Sequence, residues 1–177
     1  MNICFVSSEL SPYAKVGGLA DVSSALPSAL ARNGQAVVVV LPFYRDLKCD
    51  RDQIQAVEAL QNVSFQLGSR QITVNGFEAA FPGWELGQGP RLLLVGCDEF
   101  YDREGVYGDA EDESLRFLTL SRSCFEFCQR LQFAPDVFHC NDWQTSLIPL
   151  FQRSIYSWDE LFRNSKYTLS LHDALPI

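Results

Sequence analysis

The chain has 177 residues, of which 47% are hydrophobic and 20% are charged, and its formal net charge at pH 7 is −8. This composition is typical of a globular protein, and the length suits one α/β domain with a well-buried core. The acidic balance argues against a nucleic-acid partner and against binding to an anionic membrane. The longest unbroken apolar run, residues 36–41, is far too short to span a bilayer.

The amino-terminal residues form a strand-like run without a basic segment, an h-region or a cleavage site. We therefore expect no export or organelle signal. The six cysteines suit reduced thiols, which are typical of a cytoplasmic protein, and the cytoplasm is the expected location.

Hydrophobic periodicity and turn residues predict the secondary structure. In chain order the elements are a strand at 2–7, a helix at 19–33, a strand at 36–41, a loop with a short helix at 43–59, a hairpin of 63–67 with 71–79, a strand at 92–95, a long loop at 97–112, a helix at 113–131, a strand at 135–139, a helix at 143–152, a small surface helix at 158–163 and a last strand at 167–171. Pro27 should kink the first helix or start a second helical segment. Strands that alternate with helices predict a Rossmann-like, doubly wound, mostly parallel α/β sheet.

Residues 8–22 connect the first strand to the first helix and contain Lys15, Gly17 and Gly18. A glycine pair at a helix start lets backbone N–H groups approach an anion, and the helix dipole and the lysine add positive charge. The pattern predicts a phosphate-bearing ligand at the carboxyl end of a parallel sheet. The alternative is a tight turn whose glycines only permit close packing, because the stretch matches neither the dinucleotide nor the P-loop consensus.

A second candidate segment, residues 139–145, follows another strand and includes Asp142 and Trp143. A carboxylate can accept hydrogen bonds from sugar hydroxyls, and an indole face can cover the apolar side of a pyranose. If both strands are parallel, this segment and Lys15 face the same crevice. The alternative is that Asp142 caps the next helix and Trp143 packs in the core.

Metal and nucleophile chemistry is not expected. The chain has only two histidines, and Cys124 and Cys128 have helical rather than C-x-x-C spacing, which makes them core residues. No Ser-His-Asp arrangement and no G-x-S-x-G motif can be placed, and no cofactor is indicated.

Three stretches of the chain carry a resemblance to a known family, because both their residue types and the spacing between them match. They are Ser7-Ser8-Glu9 with Pro12 and residues 15–22, then Tyr101-Asp102-Arg103 with Gly105, Tyr107 and residues 112–117, and finally residues 135–137 with His139 and residues 142–145. In these stretches the chain resembles the bacterial glycogen synthase and plant starch synthase family, and the likeness extends through nearly its whole length.

The resemblance implies a GT-B glycosyltransferase with two Rossmann-like domains, of which residues 1–177 are the truncated amino-terminal, acceptor-side domain. The missing carboxyl-terminal domain would hold most of the nucleotide. The implied reaction transfers glucose from ADP-glucose to the 4-hydroxyl at the non-reducing end of an α-1,4-glucan, with retention and without a metal or other cofactor.

The resemblance also implies roles for individual residues. The expected substrate-binding residues are Lys15, Gly17, Gly18 and Asp21 near the donor phosphates, with Tyr101 and Trp143 at the sugars. The expected catalytic residues are Asp142 and His172.

The chain departs from the family pattern in two places. Asn141 stands where many relatives have histidine, and we expect little effect because it precedes Asp142. Residues 170–173 match the histidine-bearing strand end of the family only loosely, and residues 174–177 do not continue the pattern. Residues from about 168 onward are therefore doubtful, and we expect the last eight or so to be foreign sequence.

Other functions stay open from the sequence. A retaining glycosyltransferase with another donor or acceptor has the same fold, and a lone glucan-binding domain would bind without catalysis. A nicotinamide-dependent enzyme is least favoured, because the glycine fingerprint and its following acidic residue are missing. The fragment alone is expected to be inactive, since half of the cleft is absent.

Overall fold

The computed structural model describes residues 1–171 of the chain. These residues contain the strands β1 (Asn2–Val6), β2 (Ala36–Pro42), β3 (Gln55–Ala56), β4 (Val63–Leu67), β5 (Arg70–Ala79), β6 (Arg91–Gly96), β7 (Val137–Asn141) and β8 (Lys166–Ser170). The α-helices are α1 (Gly18–Arg32), α2 (Asp98–Tyr101), α3 (Glu113–Arg130) and α4 (Ile148–Ser154). Short 3₁₀ turns lie at Arg51–Gln53, Glu58–Leu60 and Trp143–Thr145.

The described strands form one sheet in the order β3-β5-β6-β2-β1-β7-β8, and β4 pairs with the other half of β5. Strands β6, β2, β1, β7 and β8 are parallel, whereas β5 runs antiparallel to β6. The central strands β1, β2 and β6 are almost continuously apolar and buried, as expected for strands that are covered on both faces. The predicted mostly parallel α/β sheet is therefore confirmed.

The direction of the connections reverses at the centre of the sheet. From β1 the chain passes through α1 to β2 on one side, and from β6 it passes through α3 to β7 on the other side of β1. Right-handed crossovers in opposite directions place α1 and α3 on opposite faces of the sheet. The switch point between β1 and β7 opens a crevice at the carboxyl ends of the strands, where open α/β sheets bind ligands.

Helix α3 supplies much of the core. The apolar stripe of the predicted helix is buried from Phe117 to Cys128, and Phe125 stacks on Tyr156 with ring centroids 4.3 Å apart. All six cysteines are free thiols. Burial raises the pKa of the Cys124 thiol and raises that of Cys140 to about 12, so both stay protonated and act as small apolar core residues.

Helix α1 is a single helix, so the second segment predicted at Pro27 is wrong. Pro27 is buried within the helix, where packing against the core offsets the backbone hydrogen bond that proline cannot make. The predicted stop is confirmed, because the Asn33 N–H closes the last turn on the Ala29 carbonyl and Gly34 follows with φ +76°.

The predicted hairpin is confirmed: Leu67 of β4 pairs with Arg70 of β5 across a two-residue turn in which Gly68 has φ +59°. Two other predictions were incomplete. The segment at 43–59 also contains strand β3, and the long loop at 97–112 begins with helix α2.

The region after β7 differs most from the prediction. The single helix predicted at 143–152 is wrong, because the 3₁₀ turn at Trp143–Thr145 and α4 are separate. Pro149 near the start of α4 lacks the N–H that a continuous helix requires. Residues 158–163 form consecutive turns rather than the predicted helix, and the side chain of Phe162 anchors them in the core. The predicted last strand is confirmed as β8.

We expect the substitution Gly76→Ala to destabilise the fold. A Cβ at this position of β5 would overlap the Leu60 side chain and approach Phe127 Cζ to 3.0 Å. Overpacking of this kind costs about 1–3 kcal/mol in the free energy of unfolding, which chemical denaturation measures. Gly108→Ala is the matched control, since its Cβ would meet nothing within 4 Å, and equal stability of the two variants would contradict the prediction.

Candidate functional site

The segments that follow β1, β7 and β8 are tied together at one edge of the sheet. The side-chain amide of Asn141 donates to the Val6 carbonyl at 2.9 Å, and the Asp142 N–H donates to the Ser170 carbonyl at 2.8 Å. Asn141 is fully buried. The glycine-containing segment after β1 and the Trp143 segment after β7 therefore lie on the same edge, on either side of the switch point.

Glu9 occupies the centre of the glycine-containing loop. Its side chain is 1% exposed, and Oε2 accepts hydrogen bonds at 2.8 Å from the N–H groups of both Val16 and Gly17. These N–H groups therefore bind a carboxylate of the protein itself, and the predicted phosphate-bearing ligand stays a prediction. The Gly17 N–H is bonded to Glu9 in this structure, so the expected contact of Gly17 with a donor phosphate also stays a prediction.

The start of α1 remains open to solvent at Gly18. Gly18 is the first helical residue, and a Cβ there would meet nothing within 4 Å. The N–H groups of the first helical turn have no acceptor within the helix, and together they form the positive end of the helix dipole. Of the two predicted glycines, Gly18 is the one placed to approach an anion.

Lys15 and Asp21 form an ion pair beside this helix start. Lys15 Nζ lies 2.6 and 2.8 Å from the two carboxylate oxygens of Asp21, and both side chains are about half exposed. The hydrogen bond from Lys15 lowers the pKa of Asp21. An exposed pair of this kind contributes little stability, so an anionic ligand can compete for the ammonium group.

Tyr107 connects the glycine-containing loop to the opposite wall of the crevice. Its hydroxyl donates to Glu9 Oε1 at 2.7 Å and lies 2.9 Å from Ser8 Oγ. The Tyr107 ring contacts Phe117, whose ring meets the Trp143 indole edge-on at 5.2 Å. Burial raises the pKa of Tyr107, and the nearby carboxylates of Glu9 and Asp142 raise it further, so this phenol stays protonated and can donate.

Asp142 and Trp143 occupy special positions after β7. Asp142 is 4% exposed and has φ +58°, and its side chain does not cap the following 3₁₀ turn, which contradicts the capping alternative. Trp143 is 55% exposed, which contradicts the core alternative. With Phe117 and Leu147 the indole lines an apolar groove of about 260 Å³ between α3 and the segment at 143–147.

Two other expected residues are not part of this arrangement. Tyr101 is fully buried, and its hydroxyl donates to the Arg116 carbonyl at 2.7 Å, so the expected contact with a sugar is wrong for this structure. Its ring instead packs edge-on against Tyr44. His172 lies outside the described residues, and its expected catalytic role stays a prediction.

Sequence reasoning missed Glu9 and Tyr107 as site residues. Both occur in the stretches that carry the family resemblance, but neither has a local spacing that indicates a role. The remaining histidine, His139, stacks on Phe5 with ring centroids 4.8 Å apart. Among residues 1–171 no group of three or more His, Cys, Asp or Glu side chains has a geometry that could hold a metal ion, and no helix there is long and apolar enough to cross a membrane.

Comparison with known proteins agrees with this architecture. Residues 2–175 match the family model of the starch synthase catalytic domain. The glycogen synthase of Photobacterium profundum is 33% identical over 180 residues, which cover 99% of this chain and 34% of that protein. Glycogen synthase 2 of Geobacter sulfurreducens is 36% identical, and the match covers 98% of this chain and 35% of that protein. The chain thus spans about a third of the length of the curated relatives it matches.

The solved catalytic domain of starch synthase IV from Arabidopsis thaliana, bound to ADP and acarbose, has the same fold. The TM-score is 0.83 at 26% identity, and the match covers 97% of this chain and 33% of that chain. The fold is that of a GT-B glycosyltransferase domain, as predicted. The chain belongs to the starch synthase catalytic domain family.

We expect Asn141→Ala to destabilise the domain by about 1–3 kcal/mol, because the buried Val6 carbonyl would lose its donor. Chemical denaturation measures the change in the free energy of unfolding. Asn33→Ala is the control, since Asn33 makes a bond of similar length to the Ala29 carbonyl at an exposed position. A loss for Asn141→Ala no larger than that of the control would show that the tie between β7 and β1 is unimportant.

Proposed function

We propose that this chain is the acceptor-side domain of a glycogen or starch synthase. The proposed reaction transfers glucose from ADP-glucose to the 4-hydroxyl at the non-reducing end of an α-1,4-glucan, with retention at the anomeric carbon. The support is the family membership, the names of the relatives, and the ADP and acarbose bound to the starch synthase IV domain. The six reduced thiols also support the expected cytoplasmic location.

One observation carries the proposal: the segment with Lys15 and the start of α1 follows β1, the segment with Asp142 and Trp143 follows the neighbouring parallel strand β7, and both lie at the carboxyl ends of these strands. A sugar nucleotide needs both features, because its diphosphate is anionic and its glucosyl unit offers hydroxyls and an apolar face. A site for a neutral glucan alone would not need the cationic side.

The proposed residue roles come from the family resemblance, and the position of Lys15 beside the start of α1 supports them. As the bond between the anomeric carbon and the diphosphate oxygen breaks, negative charge grows on the departing nucleoside diphosphate. Lys15 and the N–H groups of the first turn of α1 stabilise that charge, because they are fixed before the reaction begins. Asp142 accepts hydrogen bonds from the glucosyl hydroxyls, Trp143 covers the apolar face of a sugar, and Asp21 lies beside Lys15 at the sugar end.

A second candidate is a glucan-binding domain without catalysis, which the exposed Trp143 in its apolar groove favours. Two measurements on the protein expressed from the complete reading frame separate the candidates. Elongation of a maltodextrin by ADP-glucose, in preference to other glucose nucleotides, supports the synthase. Retention on an amylose column without turnover of any sugar nucleotide supports the binding domain.

We expect Lys15→Ala to lower the kcat of the synthase about 10²–10³-fold, or about 2.7–4 kcal/mol, as for one lost oxyanion donor. The measurement is the rate of glucose transfer from radiolabelled ADP-glucose to maltodextrin. Lys166→Ala is the control. Lys166 is the first residue of β8 and pairs with the first residue of β7, so it lies at the amino-terminal ends of the strands, away from the site. An unchanged rate for Lys15→Ala would remove Lys15 from the site.

We also expect the purified 177-residue chain to elongate no glucan from ADP-glucose, because the family resemblance assigns most of the nucleotide contacts to a second domain. The same transfer assay, run at high protein concentration beside the protein from the complete reading frame, tests this expectation. Measurable elongation by the 177-residue chain would contradict it.

A further inference from the structure

We propose that Glu9 is a positioning residue that sets the backbone of the loop at Val16 and Gly17, and thereby aims Lys15 and the start of α1 at the donor diphosphate. This inference rests on the proposed function. Glu9 itself touches neither the nucleotide nor the glucan, because its carboxylate lies beneath the loop and is almost fully buried.

Three hydrogen bonds fix the conformation of the Glu9 side chain. Oε2 accepts from the N–H groups of Val16 and Gly17, and Oε1 accepts from the Tyr107 hydroxyl. Charge-assisted hydrogen bonds of this kind are the strong ones, and a buried carboxylate left without them would be costly. The carboxylate therefore holds the three groups together, and none of them can move alone without leaving it unsatisfied.

The backbone of Glu9 is anchored to the same helix. The Glu9 N–H donates to Ser7 Oγ at 3.3 Å, and Ser7 Oγ lies 2.9 Å from Ser23 Oγ on α1. Both serines are fully buried. Glu9 is thus connected to the start of α1 through its side chain and to the second turn through Ser7, so strand β1 and helix α1 are held in one relative orientation.

The two carboxylates near the loop have different roles. Asp21 pairs with Lys15 at an exposed position, where a ligand can replace it. Glu9 is inaccessible and cannot be replaced by a ligand phosphate. Its negative charge opposes the approach of a diphosphate, so Glu9 is not there for electrostatic attraction. What it provides is a fixed loop geometry, and misplacement of a catalytic group by about 1 Å can cost 10²-fold in rate.

Glu9 also contacts Tyr107, which belongs to the wall of the crevice that carries Trp143. The segment that carries Tyr107 is closed by the ion pair of Arg103 with Asp112, whose atoms approach to 2.7 Å. From Tyr107 the contacts continue through Phe117 to Trp143. The carboxylate of Glu9 therefore sets the position of the glycine-containing loop relative to the wall that carries Trp143.

The test uses Glu9→Gln and Glu9→Ala in the protein expressed from the complete reading frame. Glutamine retains an oxygen that can accept from the loop, but its NH₂ group faces the Tyr107 hydroxyl, whereas alanine removes every acceptor. We expect kcat/KM for ADP-glucose to fall at least tenfold in Glu9→Gln and further in Glu9→Ala. Binding to amylose should fall less than kcat/KM does, because Glu9 reaches Trp143 only through Tyr107 and Phe117.

The matched control is Glu126→Gln. Glu126 accepts a hydrogen bond at 2.6 Å from the hydroxyl of Tyr156, so it has the same kind of partner, but it lies on α3 and does not contact the loop. Its kcat/KM should stay within twofold of the parent protein. Comparison of the two glutamine variants separates a general loss of stability from a loss of loop position.

Hydrogen exchange of the peptide that contains Val16 and Gly17 provides a readout that does not depend on turnover. We expect exchange to be at least tenfold faster in Glu9→Ala than in Glu126→Gln. If Glu9→Ala fails to fold, Glu9→Gln carries both measurements. An unchanged kcat/KM in Glu9→Gln, with exchange of the loop no faster than in the control, overturns the proposal.

The proposed function can fail separately. If the parent protein does not use ADP-glucose, hydrogen exchange of the Val16–Gly17 peptide decides alone. Faster exchange in Glu9→Gln than in Glu126→Gln then supports the positioning role, and equal exchange overturns it.

Discussion

The parallel pairing of β1 with β7 is the constraint on which the site depends. It joins two strands that are far apart in the chain, since the residues linked by the Asn141–Val6 hydrogen bond are 135 positions apart. Both strands end at the same edge, where the direction of the connections reverses. The glycine-containing loop after β1 and the segment of Asp142 after β7 consequently become neighbours, and neither segment alone would form a crevice.

Charge in the crevice is balanced by the protein itself. The N–H groups of the glycine-containing loop are paired with Glu9, and the ammonium of Lys15 is paired with Asp21. Burial makes the difference between the two: the carboxylate beneath the loop is permanent, and the one in solvent is replaceable. The aromatic contacts of Tyr107 with Phe117 and of Phe117 with Trp143 then connect the Lys15 side of the crevice to the Trp143 side.

The sequence predicts those parts of the molecule that local patterns control. The buried parallel strands, the apolar stripe of α3 and the turn at Gly68 all have strong local signals, and all are confirmed. The errors occur where tertiary contacts decide. Tyr101 belongs to a matching motif but packs in the core, and residues 158–163 form turns anchored by the buried Phe162 instead of a surface helix. Glu9 was missed because its three partners come together only in the folded chain.

The ion pair between Lys15 and Asp21 turns the capture of an anion into an exchange of partners. In the proposed synthase, a diphosphate that engages the ammonium would release the carboxylate to water, so only the difference between two ion pairs would contribute to affinity. When the product left, Asp21 would return to the ammonium. Such an exchange favours quick departure over tight retention, as the proposed lengthening of a glucan one unit at a time requires.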